Sequence, residues 1–197
     1  NSSQTFITNG ATASTDKTTG SSGAVYVYKR TGTAWAQEAY VKAANNDFGD
    51  SFGYTVALSG NTLVVGAYFE DSSQTFLTNG ATASSVNGRS DSGAAFIYKR
   101  IGTSWAQEAY VKAVNSTPSN YFGVSASISG DTLAVGAYLE DSNQTFITNG
   151  STASTDTSQA DSGAVYVYRN SDRAFDPDIR MQSRTQTSIT FGFGSNL

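Results

Sequence analysis

Short runs of apolar and β-branched residues alternate with stretches rich in Gly, Ser, Thr and Asn along most of this chain. FGYTVALS (52–59) alternates in polarity and runs into Ser59-Gly60-Asn61, the pattern of a half-buried strand followed by a tight turn. TLVVGAYF (62–69) is a continuous apolar run, as a strand covered on both faces would be. AVYVYKR (24–30) is β-branched and aromatic. WAQEAYVKA (35–43) carries Ala, Glu and Lys that suit a helix, but its short spacing from neighbouring strands assigns it to an edge strand. Ser-Gly-Asn and Thr-Gly-Thr connections join these runs as antiparallel hairpins.

The pattern recurs every 70 residues. NSSQTFITNGATAS (1–14) returns as DSSQTFLTNGATAS (71–84) and DSNQTFITNGSTAS (141–154). GAVYVYKR (23–30) returns as GAAFIYKR (93–100) and GAVYVYRN (163–170), and AWAQEAYVKA (34–43) as SWAQEAYVKA (104–113). SFGYTVALSGNTLVVGAYFEDS (51–72) returns as YFGVSASISGDTLAVGAYLEDS (121–142). Four antiparallel strands per fixed period is the pattern of a propeller blade. The fold class is therefore all-β. A half blade spans 1–43, a blade 51–113 and a partial blade 121–170, leaving a divergent tail over 171–197. With about four to eight blades needed for closure, the ring is incomplete in one chain. This predicts either part of a longer chain or assembly as a dimer or trimer. The missing initial Met fits an excised segment or a mature product. In the tail, Asp176-Pro177 marks a turn, and TQTSITFGF (185–193) reads as a strand that closes the half blade or opens a following β module.

At these residues the chain resembles FG-GAP repeats, the blades of integrin α-subunit-like β-propellers, and more closely a bacterial exported type with a W-x-Q strand. The order Phe-Gly, Ser-Gly-Asp/Asn turn, Val-Gly-Ala, then Gly-Ala-x-x-x-Tyr carries the resemblance over roughly residues 1–170. It implies propeller architecture and a non-catalytic role in adhesion or recognition at a bacterial surface, with a structural spacer of a large surface protein as the alternative. Gly53 and Gly123 read as positions of close backbone approach. Phe52 and Phe122 read as filling between blades. Trp35 and Trp105, and Tyr28, Tyr98 and Tyr168, read as packing residues.

The opening phrase lies in a long insert between the second and third strands of a blade, from about Glu70 to Gly93. Its Asn-Gly pairs predict small hairpins with tips at Asn9-Gly10, Asn79-Gly80 and Asn149-Gly150. Phe6, Phe76 and Phe146, beside Ile7, Leu77 and Ile147, then need a covering surface, because an isolated hairpin is marginal. The predicted ligand-binding residues are thus Phe6, Asn9, Phe76, Asn79, Phe146 and Asn149, presented to a cell-surface glycan or protein. A calcium site is a second expectation, from the carboxylates Glu70, Asp71, Asp91, Glu140, Asp141 and Asp161 at the ends of the inserts, with solvated loop carboxylates as the alternative. The family's D-x-D/N-x-D/N-G calcium loop is replaced here by Ser59-Gly60-Asn61 and Ser129-Gly130-Asp131.

Composition narrows the function further. The net charge of −4 provides no basic stripe for nucleic acid. No apolar run reaches the ~18 residues of a membrane span. With no His and no Cys, Ser-His-Asp and Cys-His catalysis, disulfides and zinc-thiolate sites are excluded. Asp47, Asp50 and Glu70 leave a carboxylate-pair glycoside hydrolase as a third reading. Absence of Cys fits a bacterial exported protein better than a small disulfide-stapled one. Sequons at Asn1, Asn115, Asn143 and Asn149 carry no weight in that setting.

Overall fold

A computed structural model describes residues 2–169, and these form strands and loops with no helix. The first sheet contains β1 (Thr8–Asn9), β2 (Val25–Thr31) and β3 (Ala34–Val41), in the order β1-β3-β2. The second contains β4 (Thr55–Ser59), β5 (Thr62–Ala67), β6 (Thr78–Asn79), β7 (Ala94–Ile101) and β8 (Ser104–Val111), in the order β4-β5-β7-β8-β6. The third contains β9 (Ser125–Ser129), β10 (Thr132–Ala137) and β11 (Ala164–Arg169), with β10 in the middle. Every strand pairing is antiparallel. The tail beyond residue 169, with the Asp176-Pro177 turn and the 185–193 strand expected there, lies outside the described residues.

Alternation along β7 explains how the sheets stack. Phe96 and Tyr98 face the first sheet and join a core with Val25, Val27, Ala39, Val41 and Phe52. Ala95 and Ile97 face the other way, into a core with Phe122, Leu133, Val135 and Ala137. Successive side chains of one strand thus build two cores, which is why β5 and most of β7 are buried throughout. Phe52 and Phe122 sit between sheets as expected. Phe52 meets Phe96 and Tyr98 edge-on, and Phe122 meets Tyr166 and Tyr168 in the same way. Where the second and third sheets approach, a Cβ on Gly66 would lie 1.9 Å from the Gly123 carbonyl oxygen, so only glycine fits there.

Two expectations are corrected. Trp105 is buried, but Trp35 is 67% exposed, and Tyr28 is 54% exposed where Tyr98 is fully buried. The reason is position in the stack. Trp105 and Tyr98 pack toward the first sheet, whereas the matching face of the first sheet has no covering sheet among the described residues. Val56 and Leu58 of β4 stand exposed because the first sheet has no described counterpart of β4 and β5. The second correction concerns the inserts. Asn79-Gly80 does not close a hairpin of its own; Thr78 and Asn79 pair instead with Tyr110 and Ala109 of β8. Thr8 and Asn9 pair likewise with Tyr40 and Ala39 of β3. An outer strand edge supplies a ready row of backbone partners, which a free two-residue hairpin lacks.

Candidate functional site

The ends of the sheets are unequal. One end carries the tight turns at Gly32, Gly60, Gly102 and Gly130; the other carries all the long connections, including the three inserts. Chemistry is concentrated at the loop-bearing end.

All three inserts share one device, and the first two share a second. Gln4 Nε2 donates to the Phe6 carbonyl at 2.6 Å and to Thr8 Oγ1 at 3.0 Å. Gln74 repeats this with Phe76 and Thr78, and Gln144 with Phe146 and Thr148. One amide thereby fixes a bend whose apex is the phenylalanine. Phe6, Phe76 and Phe146 project outward, 63%, 60% and 72% exposed. The neighbouring Leu77 is buried, and Ile7 packs against the core, so these residues anchor the bend while the phenylalanines stay out. Ile147 is exposed, because the third sheet that carries its insert has no described counterpart of β8.

The second device is a β-bulge. The register of β2 with β3 slips between Val27 and Tyr28, leaving Glu38 unpaired, and β7 with β8 slips at Glu108. The bulge frees the Glu38 carbonyl to accept the Gly10 N–H at 2.7 Å, and the Glu108 carbonyl accepts that of Gly80 at 2.6 Å. It also aims the Glu38 side chain at the next sheet. There Arg100 donates from Nε and Nη2 at 2.8 and 2.5 Å, and Trp105 Nε1 donates at 3.0 Å. The Arg100 guanidinium holds the Glu38 carboxyl below the usual range.

Asn9 belongs to this clamp. Its Oδ1 accepts the Trp105 N–H at 2.8 Å and its Nδ2 donates to the Trp105 carbonyl at 3.4 Å. It therefore ties the first insert to the second sheet, a role that sequence reading missed. The signal was available in the pairing of a repeated Asn with a repeated Trp. Asn79 occupies the same place on β6, and Asn149 lies in the third insert without strand pairing among the described residues.

The acidic residues do not gather. Glu70 is buried: Lys112 Nζ donates to Oε2 at 2.8 Å and Asn45 Nδ2 donates to Oε1 at 2.7 Å. Burial pushes the Lys112 ammonium down, and the Glu70 carboxylate opposes that. Glu140 accepts from Asn115 at 2.7 Å and from Ser142 Oγ at 2.8 Å. Asp71 Oδ1 accepts the Asp91 N–H at 2.7 Å, and Asp141 Oδ1 that of Asp161 at 3.0 Å. Among the described residues no three carboxylates converge as a calcium cage would need. Glu70 and Glu140 tie one repeat to the next, and Asp71 and Asp141 close the base of their inserts.

Stacked antiparallel sheets, a shared bulge and a rim of equivalent inserts define a repeat-built all-β module. The FG-GAP repeat model matches residues 35–98 and 105–153, more than half of the chain. The chain belongs to the FG-GAP repeat family, and its antiparallel sheets are consistent with the β-propeller of that family. No curated protein matches it.

Proposed function

We propose that this chain is a non-catalytic adhesion or recognition module of a bacterial surface protein, binding a glycan or protein through its repeated inserts. The observation that carries the reading is the triplicate bend that holds Phe6, Phe76 and Phe146 exposed on Gln4, Gln74 and Gln144. Exposed aromatics on stapled loops present contact area with little conformational entropy left to lose. Three like sites also support multivalent contact. No described helix is long and apolar enough to cross a membrane.

The same reading includes assembly into a larger stack. Tyr26, Tyr28 and Trp35 are exposed on one terminal face, and they match Phe96, Tyr98 and Trp105, which the first sheet covers. Val165 and Val167 are exposed on the other, and they match Ala95 and Ile97, which are buried. The two faces have the chemistry of the two sides of an interface already formed inside the molecule, so a second copy could stack head to tail.

The test is the triple variant Phe6→Ala, Phe76→Ala, Phe146→Ala, compared with the parent on a glycan array and on bacterial and host cell surfaces. Loss of binding with an unchanged melting temperature is expected. Binding that survives in the triple variant overturns the insert reading, and a parent that binds nothing favours the spacer.

A further inference from the structure

The loop-bearing end holds a second aromatic group, separate from the insert phenylalanines. Tyr68 and Phe69 follow β5, Tyr54 precedes β4, Tyr121 precedes β9 and Tyr138 follows β10. Their rings form one continuous group where the second and third sheets meet. Tyr54 lies 4.2 Å from Tyr68, Phe69 lies 5.5 Å from Tyr121, and Tyr121 stacks on Tyr138 at 5.5 Å and 16°. Tyr54 and Tyr138 are 60% and 54% exposed, and the other three are half-buried. None belongs to either core cluster.

Tyr121 gives the group its meaning. Its φ is 54°, a left-handed conformation that disfavours a bulky side chain. The same position in the preceding repeat, Ser51, has φ 55° and a small side chain. The fold fixes this backbone, so placing a tyrosine there is unfavourable locally and adds nothing to the cores. What it adds is the ring that joins Tyr68 and Phe69 to Tyr138.

One carboxylate, that of Asp91, borders the shelf beside Tyr68. The Tyr121 N–H donates to the Asp91 carbonyl at 3.1 Å, and the Asp91 N–H donates to Asp71 Oδ1. Burial raises the Tyr68 phenol, and Tyr54, Tyr138, Tyr121 and Asp91 add to that, consistent with one crowded cluster.

Size and chemistry select the occupant. Five rings at 150–250 Å² each, roughly 40% exposed, offer on the order of 400 Å². A stable protein interface needs about 800 Å² per partner, so the shelf is too small to hold a protein by itself. Four of the five rings carry phenol hydroxyls, and the Asp91 carboxylate adds an acceptor at the border. A pyranose has the matching surface, with C–H groups on one face and hydroxyls around its edge. The acidic border disfavours anionic sugars. We propose that Tyr54, Tyr68, Phe69, Tyr121 and Tyr138 form a saccharide-binding shelf that stacks one or two neutral pyranose rings and hydrogen-bonds their hydroxyls through its phenols and Asp91. This site is independent of the insert phenylalanines.

The experiment uses the full chain, with methyl β-D-glucopyranoside, methyl β-D-galactopyranoside and cellotetraose as neutral probes and a sialylated trisaccharide as the anionic one. Saturation-transfer NMR should show transfer to the C–H face of a neutral probe and none to the sialic acid ring. Tyr121→Ser, which restores the side chain of the preceding repeat, should weaken binding at least tenfold without lowering the melting temperature. Tyr138→Ala should weaken it comparably, while the insert triple variant should bind these probes as the parent does. Transfer to none of the neutral probes, or binding indifferent to Tyr121→Ser and Tyr138→Ala, overturns the shelf. Loss of probe binding in the insert triple variant alone relocates the sugar site to the inserts and overturns it equally.

Discussion

Asp50 is 3% exposed, and its Oδ2 accepts the Asp47 N–H at 3.0 Å. Burial, with Glu70, Asp47 and Asp71 adding to it and the Asp47 hydrogen bond opposing, pushes its carboxyl up to about 7. The folded state therefore binds a proton more tightly than the unfolded chain between the ordinary value of 3.8 and about 7. A raised value means a contribution present in full below the unfolded value and lost as pH rises through the folded one. At about 1.36 kcal/mol per pH unit, that window corresponds to a ceiling of ~4 kcal/mol. The buried Lys42 ammonium senses the Asp50 charge and by reciprocity stabilises it, so a loss of about 2–4 kcal/mol is the working range. Lys42 itself, pushed down to about 8 by burial, acts in a separate window: its contribution is present above the unfolded amine value and is lost as pH falls through about 8.

The perturbation is Asp50→Asn. The next repeat already carries Asn120 at this position, and its Oδ1 accepts the Thr117 N–H at 3.1 Å, so the turn is compatible with an amide. Urea unfolding from pH 4 to pH 7.5 should give near-equal stabilities at pH 4. The variant should become progressively more stable than the parent, by about 2–4 kcal/mol at pH 7.5. Other carboxylates titrate in both proteins and cancel in the difference. A difference that stays flat across this range refutes the assignment of a neutral buried carboxyl to Asp50.

Two further outcomes follow from the inter-repeat contacts. Glu70→Gln leaves the Lys112 ammonium buried without its counter-charge, and should lower stability by about 3–5 kcal/mol in urea unfolding. Because Glu70 is committed to Lys112 and Asn45, the parent's unfolding midpoint should be the same in calcium and in chelator; a rise in calcium would restore the metal reading. Trp35 and Trp105 serve as reporters of stacking. In Trp105→Phe, acrylamide should quench Trp35 freely in dilute protein and less as concentration rises, in step with mass by sedimentation velocity; quenching independent of concentration rejects head-to-tail stacking.

The strand pattern was legible because period-two alternation and a continuous apolar run correspond directly to half-buried and doubly buried strands. Even the helix-compatible WAQEAYV segments fold as β3 and β8. There the neighbouring strand overrides local preference. The fate of Asn79-Gly80 was not legible. A type I′ turn and an edge pairing draw on the same residues, and the choice depends on the bulge at Glu108 that frees a carbonyl for Gly80. The insert phenylalanines were found by their repetition, but the stapling glutamines were overlooked because Gln lacks a turn signature. The aromatic shelf was invisible for another reason. Tyr54, Tyr68 and Tyr121 are separated along the chain, and only the stacking of the second sheet on the third brings them together.

Identical local sequence reaches different ends in this molecule, and the difference locates the source of its stability. Glu38 and Glu108 occupy the same bulge, and each carbonyl accepts the same glycine N–H. Glu38 finds Arg100 and Trp105 on the following sheet, while Glu108 Oε2 is buried with no hydrogen-bond partner among the described residues. The backbone of a repeat is therefore set within it, and the fate of its side chains by the repeat that follows. A buried polar group left unpaired costs about 1–3 kcal/mol, comparable with the gain from one well-made interface pair. Stability then accrues interface by interface, as in other arrays of stacked repeats. On that account Glu38→Gln should weaken the contact of the first sheet with the second, whereas Glu108→Gln, which breaks no described side-chain pair, should cost less or stabilise. Equal losses in the two variants would mean that the carboxylates act within their own sheets and that nearest-neighbour coupling is the wrong description.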